Sequence, residues 1–240
     1  MKKWITTIVV LCFTVIIAGC STSPEVTRER ITADEVNLTY IQKAVDEYRE
    51  KTGGLLPIKN KDQVVDKYIK YPIDFEKLTR DHYIDVLPNN SFEKGGIYQY
   101  VIWHAESKNP VVKLIDLQQA EIIRDLVLKK TANGFVPIGE HIIGNYYYFN
   151  YKKMGYKSQP VVKSPYSNVN LPIILKGTGE FFVDYSIDLQ KIVTEKKPIL
   201  KKNQDIRFLL EEKHPILPAY STKYIVNSAG DVEIYDDFKK

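Results

Sequence analysis

Two stretches of this chain, about 80 residues apart, read almost alike. They are Thr52-Gly53-Gly54-Leu55-Leu56-Pro57-Ile58 and Thr131-Ala132-Asn133-Gly134-Phe135-Val136-Pro137-Ile138. Each follows an amphipathic run and precedes segments rich in β-branched and aromatic residues. A helix laid over one hairpin cannot bury its whole apolar stripe, so a chain built this way must share a core between its copies. This constraint predicts an α+β fold: tandem helix-plus-antiparallel-hairpin modules packed into one or two domains.

In the first copy, Thr32 and Glu35 have capping-box spacing, and Val36, Tyr40, Ile41, Ala44, Val45 and Tyr48 make one helical stripe. Gly53-Gly54 suits a left-handed helix end, after which Leu55 to Ile58 runs extended. Asp62 is placed to cap a short helix through Lys70 and Asp74 another through Arg80, with Val64, Val65, Tyr68, Phe75 and Leu78 facing inward. Ile97 to Trp103 and Val111 to Ile115, joined by the turn-prone Glu106-Ser107-Lys108-Asn109-Pro110, form a predicted hairpin.

The pattern restarts at Asp116 and Gln119, again with capping-box spacing, before a helix to Lys130. Tyr146 to Tyr151 reads as a strand, and Leu171 to Leu175 with Phe181 to Ile187 as a hairpin around Lys176-Gly177-Thr178-Gly179-Glu180. Ile187-Asp188-Leu189-Gln190 repeats Ile115-Asp116-Leu117-Gln118. A compressed third copy follows. Asn203 or Asp205 caps a helix through Glu212, Pro215-Ile216-Leu217-Pro218 takes the place of the earlier proline segments, and Tyr224 to Asn227 pairs with Val232 to Tyr235. The modules are therefore expected over 32–115 and 116–187, with 188–240 either a compressed third module or a C-terminal extension. A helix, a proline segment and an antiparallel sheet in succession faintly resemble the head domain of type II secretion pseudopilins, a likeness of architecture alone.

Ahead of the modules, Lys2 and Lys3 precede an apolar run from Trp4 to Ile17 that is too short for a span of about 20 residues, and Ala18-Gly19-Cys20 ends it. This ending resembles the lipobox of bacterial lipoproteins. The resemblance implies a signal peptide over 1–19 and a diacylglyceryl group on the thiol of Cys20, where the mature chain begins. Residues 20–31, polar and with Pro24, read as the lipidated terminus and a tether. Several acyl chains together hold a protein in a leaflet, at about 0.8 kcal/mol per buried methylene. The expected partner is thus membrane lipid through Cys20, and the expected location is the extracytoplasmic face of the cell membrane. The whole chain resembles the uncharacterised lipoproteins of Gram-positive, spore-forming bacteria.

With Cys12 in the discarded run and Cys20 lipidated, no thiol remains for a disulfide. Stability must then come from packing, for which seventeen tyrosines and nine phenylalanines supply aromatic area. The net charge is +4, to which Lys2 and Lys3 contribute two, too weak a balance to argue for nucleic acid.

Candidate chemistry is sparse. Lys51-Thr52-Gly53, Ser91-Phe92-Glu93-Lys94 and Tyr148-Phe149-Asn150 resemble the three short motifs of serine β-lactamases, but in the wrong order, with the first at a helix end. His82, His104, His141 and His214 lack metal-ligand spacing. His104 with Glu106, and Glu140 beside His141, are the close His–carboxylate pairs, both at loop edges. Tyr146-Tyr147-Tyr148-Phe149 with Tyr151 is either a ligand platform or, more simply, a strand with alternate rings buried. Lys196-Lys197 and Lys201-Lys202 are either an anionic-surface contact or a solvated linker. No catalytic, cofactor or metal residue is assigned. The expectation is a non-enzymatic binding or scaffold protein of the cell envelope with a protein or envelope partner; the solute-binding component of a transporter stands second and an envelope hydrolase third.

Overall fold

The computed structural model describes residues 24–59 and 66–236, and the chain divides into two units, Met1–Thr39 and Tyr40–Lys240. In the first unit the described part belongs to helix α1 (Pro24–Lys51). Proline suits a first helical position, because its φ is already helical and its missing N–H is one the first turn leaves unbonded. The tether predicted over 20–31 is therefore helical from Pro24, and Thr32 and Glu35 lie inside α1 rather than capping it.

In the second unit the end of α1 buries Ile41, Ala44, Val45 and Tyr48, as the stripe predicts, while Tyr40 stays exposed. Gly53 and Gly54 adopt left-handed φ values of +72° and +101°, as does Gly134 at +76°. Past each glycine end the two copies agree in detail. Leu55 and Phe135 are both exposed and Pro57 and Pro137 both buried. The Pro57 carbonyl accepts from Asp74 N–H and the Pro137 carbonyl from Asn150 N–H, each at 2.8 Å.

Asp74 caps α2 (Phe75–Arg80) through Lys77 N–H, with Phe75 and Leu78 buried. The helix predicted from Asp62 is not formed at its described end: Asp62 to Val65 lie outside the described residues, and Lys67 to Lys70 make a turn with Asp66 accepting from Tyr68 N–H. Strands β1 (Tyr98–Trp103) and β2 (Val111–Asp116) pair antiparallel, Tyr98 opposite Asp116 and Trp103 opposite Val111. Both outer edges are occupied. Ile102 N–H donates to Tyr71 C=O, and the far edge of β2 takes the C-terminal proline segment, Leu114 N–H to Pro215 C=O and Leu217 N–H to Leu114 C=O, both at 2.9 Å. Pro215 to Pro218 thus completes the first sheet instead of standing within a third module.

Helix α3 (Leu117–Asn133) starts at Asp116, whose carboxylate accepts from Gln118 N–H at 2.9 Å. Gln119 is not the second half of a capping box; it is fully buried and accepts from Tyr185 OH. Strands β3 (Ile138–Ile143), β4 (Tyr146–Phe149), β5 (Val161–Lys163), β6 (Asn170–Lys176) and β7 (Phe181–Val183) form an antiparallel sheet of order β3-β4-β6-β5, with β7 also on β6. The strand predicted to Ile187 ends at Val183, where Asp184 accepts from Ser186 N–H and helix α4 (Ser186–Lys196) begins. Ile187-Asp188-Leu189-Gln190 is therefore helical, whereas Ile115-Asp116-Leu117-Gln118 straddles a strand end and a helix start, and the module boundary at 187 falls inside α4. Helix α5 (Phe208–Glu211) and the hairpin β8 (Tyr224–Val226) with β9 (Val232–Ile234) follow.

The fold class is α+β with antiparallel sheets. One core runs from Leu126 through β4, β6, β7, α4 and α5 to Ile234; another joins Tyr68, Val101 and Ile115 to Leu217 and Ala219. The first hairpin and the second helix-and-sheet segment each share a core with the C-terminal segment.

Candidate functional site

The end of β1 and the Lys67–Tyr71 turn enclose a groove of about 360 Å³ whose lining includes Lys67, Lys70, Tyr71, Trp103, His104 and Glu106. Trp103 is half-buried and stacks on Tyr68, ring centres 5.1 Å apart and planes 29° from parallel; His104, at φ +55°, leans on its neighbour at 4.6 Å. The Lys67 ammonium lies 4.4 Å from the Tyr68 ring and 5.5 Å from that of Trp103, and the Lys70 ammonium 4.7 Å from Tyr71. Such pairs hold long side chains against aromatic faces while leaving the charge wet. Glu106 is engaged by Tyr71 OH and by Lys70 at 3.2 Å rather than by His104. The Tyr71 hydroxyl, then Lys70, hold its carboxyl below the ordinary range.

Beneath the groove lies a polar network. Tyr68 OH donates to Glu211 Oε1, and Lys67 Nζ sits 3.2 Å from the same oxygen. Arg207 forks onto Asp205 at 2.7 and 3.0 Å and donates to the Ser221 carbonyl at 3.1 Å. Burial opposes charge on both partners, yet the pairing carries Asp205 below and Arg207 above their usual values. Burial pushes Tyr68 far up, which keeps it a donor. Lys113 on β2 donates to the carbonyls of Glu211 and His214 at 2.9 and 2.8 Å.

His214 packs edge-on to Tyr166, ring centres 4.9 Å apart. Burial first, then Lys196 and Lys113, depress its pKa. An unfolded chain then takes up the proton first, so the stability this residue contributes is complete above about pH 6.5 and falls as pH drops below it toward the folded value. Denaturant titrations between pH 7.5 and 5 are expected to show this loss, and His214→Gln to flatten that part of the slope. An unchanged slope in the variant would assign the pH dependence elsewhere.

Cys20 lies outside the described residues. Among those described, no three His, Cys, Asp or Glu side chains converge on a metal-sized site. His141 bonds the Gly144 carbonyl at 2.9 Å and packs on Tyr147. The tyrosine run is a strand, as its simpler reading has it, but the rings do not alternate: Tyr146 and Phe149 are buried with Tyr147 and Tyr148 half-buried between them. Lys51-Thr52-Gly53 sits at the end of α1, where Thr52 Oγ donates to Tyr48 C=O. Sequence marks Tyr68 only as inward-facing and gives Lys67, Trp103, Arg207 and Glu211 no site role, since separations such as the 143 residues between Tyr68 and Glu211 leave no local pattern.

Neither the curated proteins nor the solved structures contain a match to this chain. A family model does match part of it: residues 34–116, from within α1 to the last residue of β2, are similar to the YphF family N-terminal domain.

Proposed function

We propose that this chain is a membrane-anchored, extracytoplasmic lipoprotein, a non-enzymatic binding or scaffold protein of the cell envelope that is held in the leaflet through acylated Cys20. The observation that carries the reading is the succession of Lys2-Lys3, the short apolar run and Ala18-Gly19-Cys20. The binding side of the reading is supported by the Trp103 groove, where two ammonium groups, a carboxylate and a half-buried indole lie together on a base fixed by Tyr68.

Metabolic labelling with a fatty acid is expected to mark the wild-type chain and not Cys20→Ala; equal labelling of the two sinks the anchor. Co-purification from membranes completes the test. Trp103→Ala is expected to keep the label and lose the envelope partner, and undiminished recovery would remove the groove from the reading.

A further inference from the structure

We infer that the loop over residues 196–202 is a second membrane contact, one that takes the anionic headgroup layer of a phospholipid bilayer with Ile199 entering the acyl boundary. Its sequence is Lys196-Lys197-Pro198-Ile199-Leu200-Lys201-Lys202. All four lysines are exposed and no acidic residue stands among them. Between them Ile199 is 103% exposed, the full extent of an isoleucine in an open chain.

The presentation is built rather than loose. Lys197 closes α4 at φ +43° with its N–H on Val193 C=O at 2.9 Å. Leu200, one residue beyond Ile199, packs against the main core. Lys201 and Gln204 exchange hydrogen bonds at 2.9 and 3.1 Å. With both ends fixed, the apolar tip is held in water, where it has no folding role. Lys213 adds a fifth ammonium and lowers the Lys196 pKa, while the Glu195 carboxylate, one residue before the loop, opposes that shift. Lysines around an apolar tip fit an anionic interface, where each cation adds attraction and the buried side chain adds hydrophobic free energy. A dissolved polyanion would match the lysines but leave Ile199 unexplained.

The inference rests on the reading of the chain as a membrane lipoprotein, and its test does not use the acyl group. The full chain carrying Cys12→Ser, Cys20→Ser and Ile199→Cys has one thiol, to be labelled with a polarity-sensitive nitrobenzoxadiazole dye. With vesicles of phosphatidylcholine plus phosphatidylglycerol, its emission is expected to shift to the blue and to be quenched by acyl-chain nitroxides. With phosphatidylcholine alone it should do neither. Changing all four lysines to glutamine, with the fold checked by circular dichroism, is expected to weaken the anionic-lipid response roughly tenfold or more. Emission indifferent to anionic lipid, or a shift that survives the four substitutions, overturns the inference. So does a response to soluble poly(glycerol phosphate) without acyl-chain quenching. Fatty-acid labelling of Cys20 reads the anchor separately, so either result stands when the other fails.

Discussion

Gly96→Ala is expected to destabilise the protein by about 3 kcal/mol, a large overpacking effect, and to lower Tm by roughly 6–12 °C in a chain of this size. A Cβ at this position would overlap the backbone carbonyl of Asn90. The neighbouring chain cannot yield, because Gly96 N–H is bonded to Ser91 C=O at 2.8 Å and Tyr98 N–H to Asn90 C=O at 3.1 Å. The Asn90 side chain is held in turn by Tyr100 OH at 2.7 Å. The same turn supplies the control. Among the described residues Ser91 Oγ is buried without a hydrogen-bond partner, so Ser91→Ala removes an unsatisfied group and is expected to be neutral or slightly stabilising. Thermal melts of the two variants side by side test the account, and equal Tm values would refute it.

Arg207→Ala is expected to cost about 2 kcal/mol, since removing one member of a largely buried pair leaves the other without its counter-charge. The Arg207 side chain is only 11% exposed, and its loss takes the side-chain donors from the Ser221 carbonyl and from the Asp205 carboxylate, which keeps the backbone N–H of residue 207 at 3.1 Å. It also takes the guanidinium from the Tyr68 ring, 5.3 Å away. Exchanging the pair together, Arg207→Met with Asp205→Leu, is expected to recover most of the loss, because two apolar groups of similar bulk need no counter-charge. Denaturant midpoints of the single and double variants give the coupling. A double variant no better than Arg207→Ala would mean that the guanidinium acts through Ser221 and Tyr68 instead.

Local chemistry was legible in the sequence where it acts over a few residues. The glycine ends at Gly53 and Gly134, the Asp74 cap and the β1–β2 and β6–β7 hairpins follow from spacing alone, because each is settled by neighbours in the chain. The failures have identifiable causes. The strand expected over Phe181 to Ile187 overruns because Phe181, Phe182, Val183, Tyr185 and Ile187 are all strand formers; what turns the chain is Asp184, which accepts from Ser186 N–H. Strand β3 shows no alternation, since most of its residues face solvent, and β5 has only three residues. The groove was half visible. Glu106 and His104 are a pair in sequence, yet the side chains that engage Glu106 are Tyr71 and Lys70, 35 and 36 residues away. Distance in sequence also hid the network under Trp103, where carboxylate, guanidinium and phenol come from opposite ends of the chain.

The pairing of Pro215–Leu217 with β2 sets an order of events in assembly. A chain emerges N-terminus first, and the matched stretch over 34–116 can form its helix and hairpin early, from near neighbours. It cannot close the far edge of β2 until the last tenth or so of the chain has arrived, because the partners lie far along it; Lys113 and His214, bonded beside that edge, are 101 residues apart. Until then Leu114 presents an open N–H and C=O on an apolar strand, the kind of edge that recruits a neighbouring molecule. In the folded chain the C-terminal segment covers that edge of the N-terminal sheet. A fragment cut at Asp116 would keep the whole matched stretch and still lack the piece that makes its sheet safe in solution.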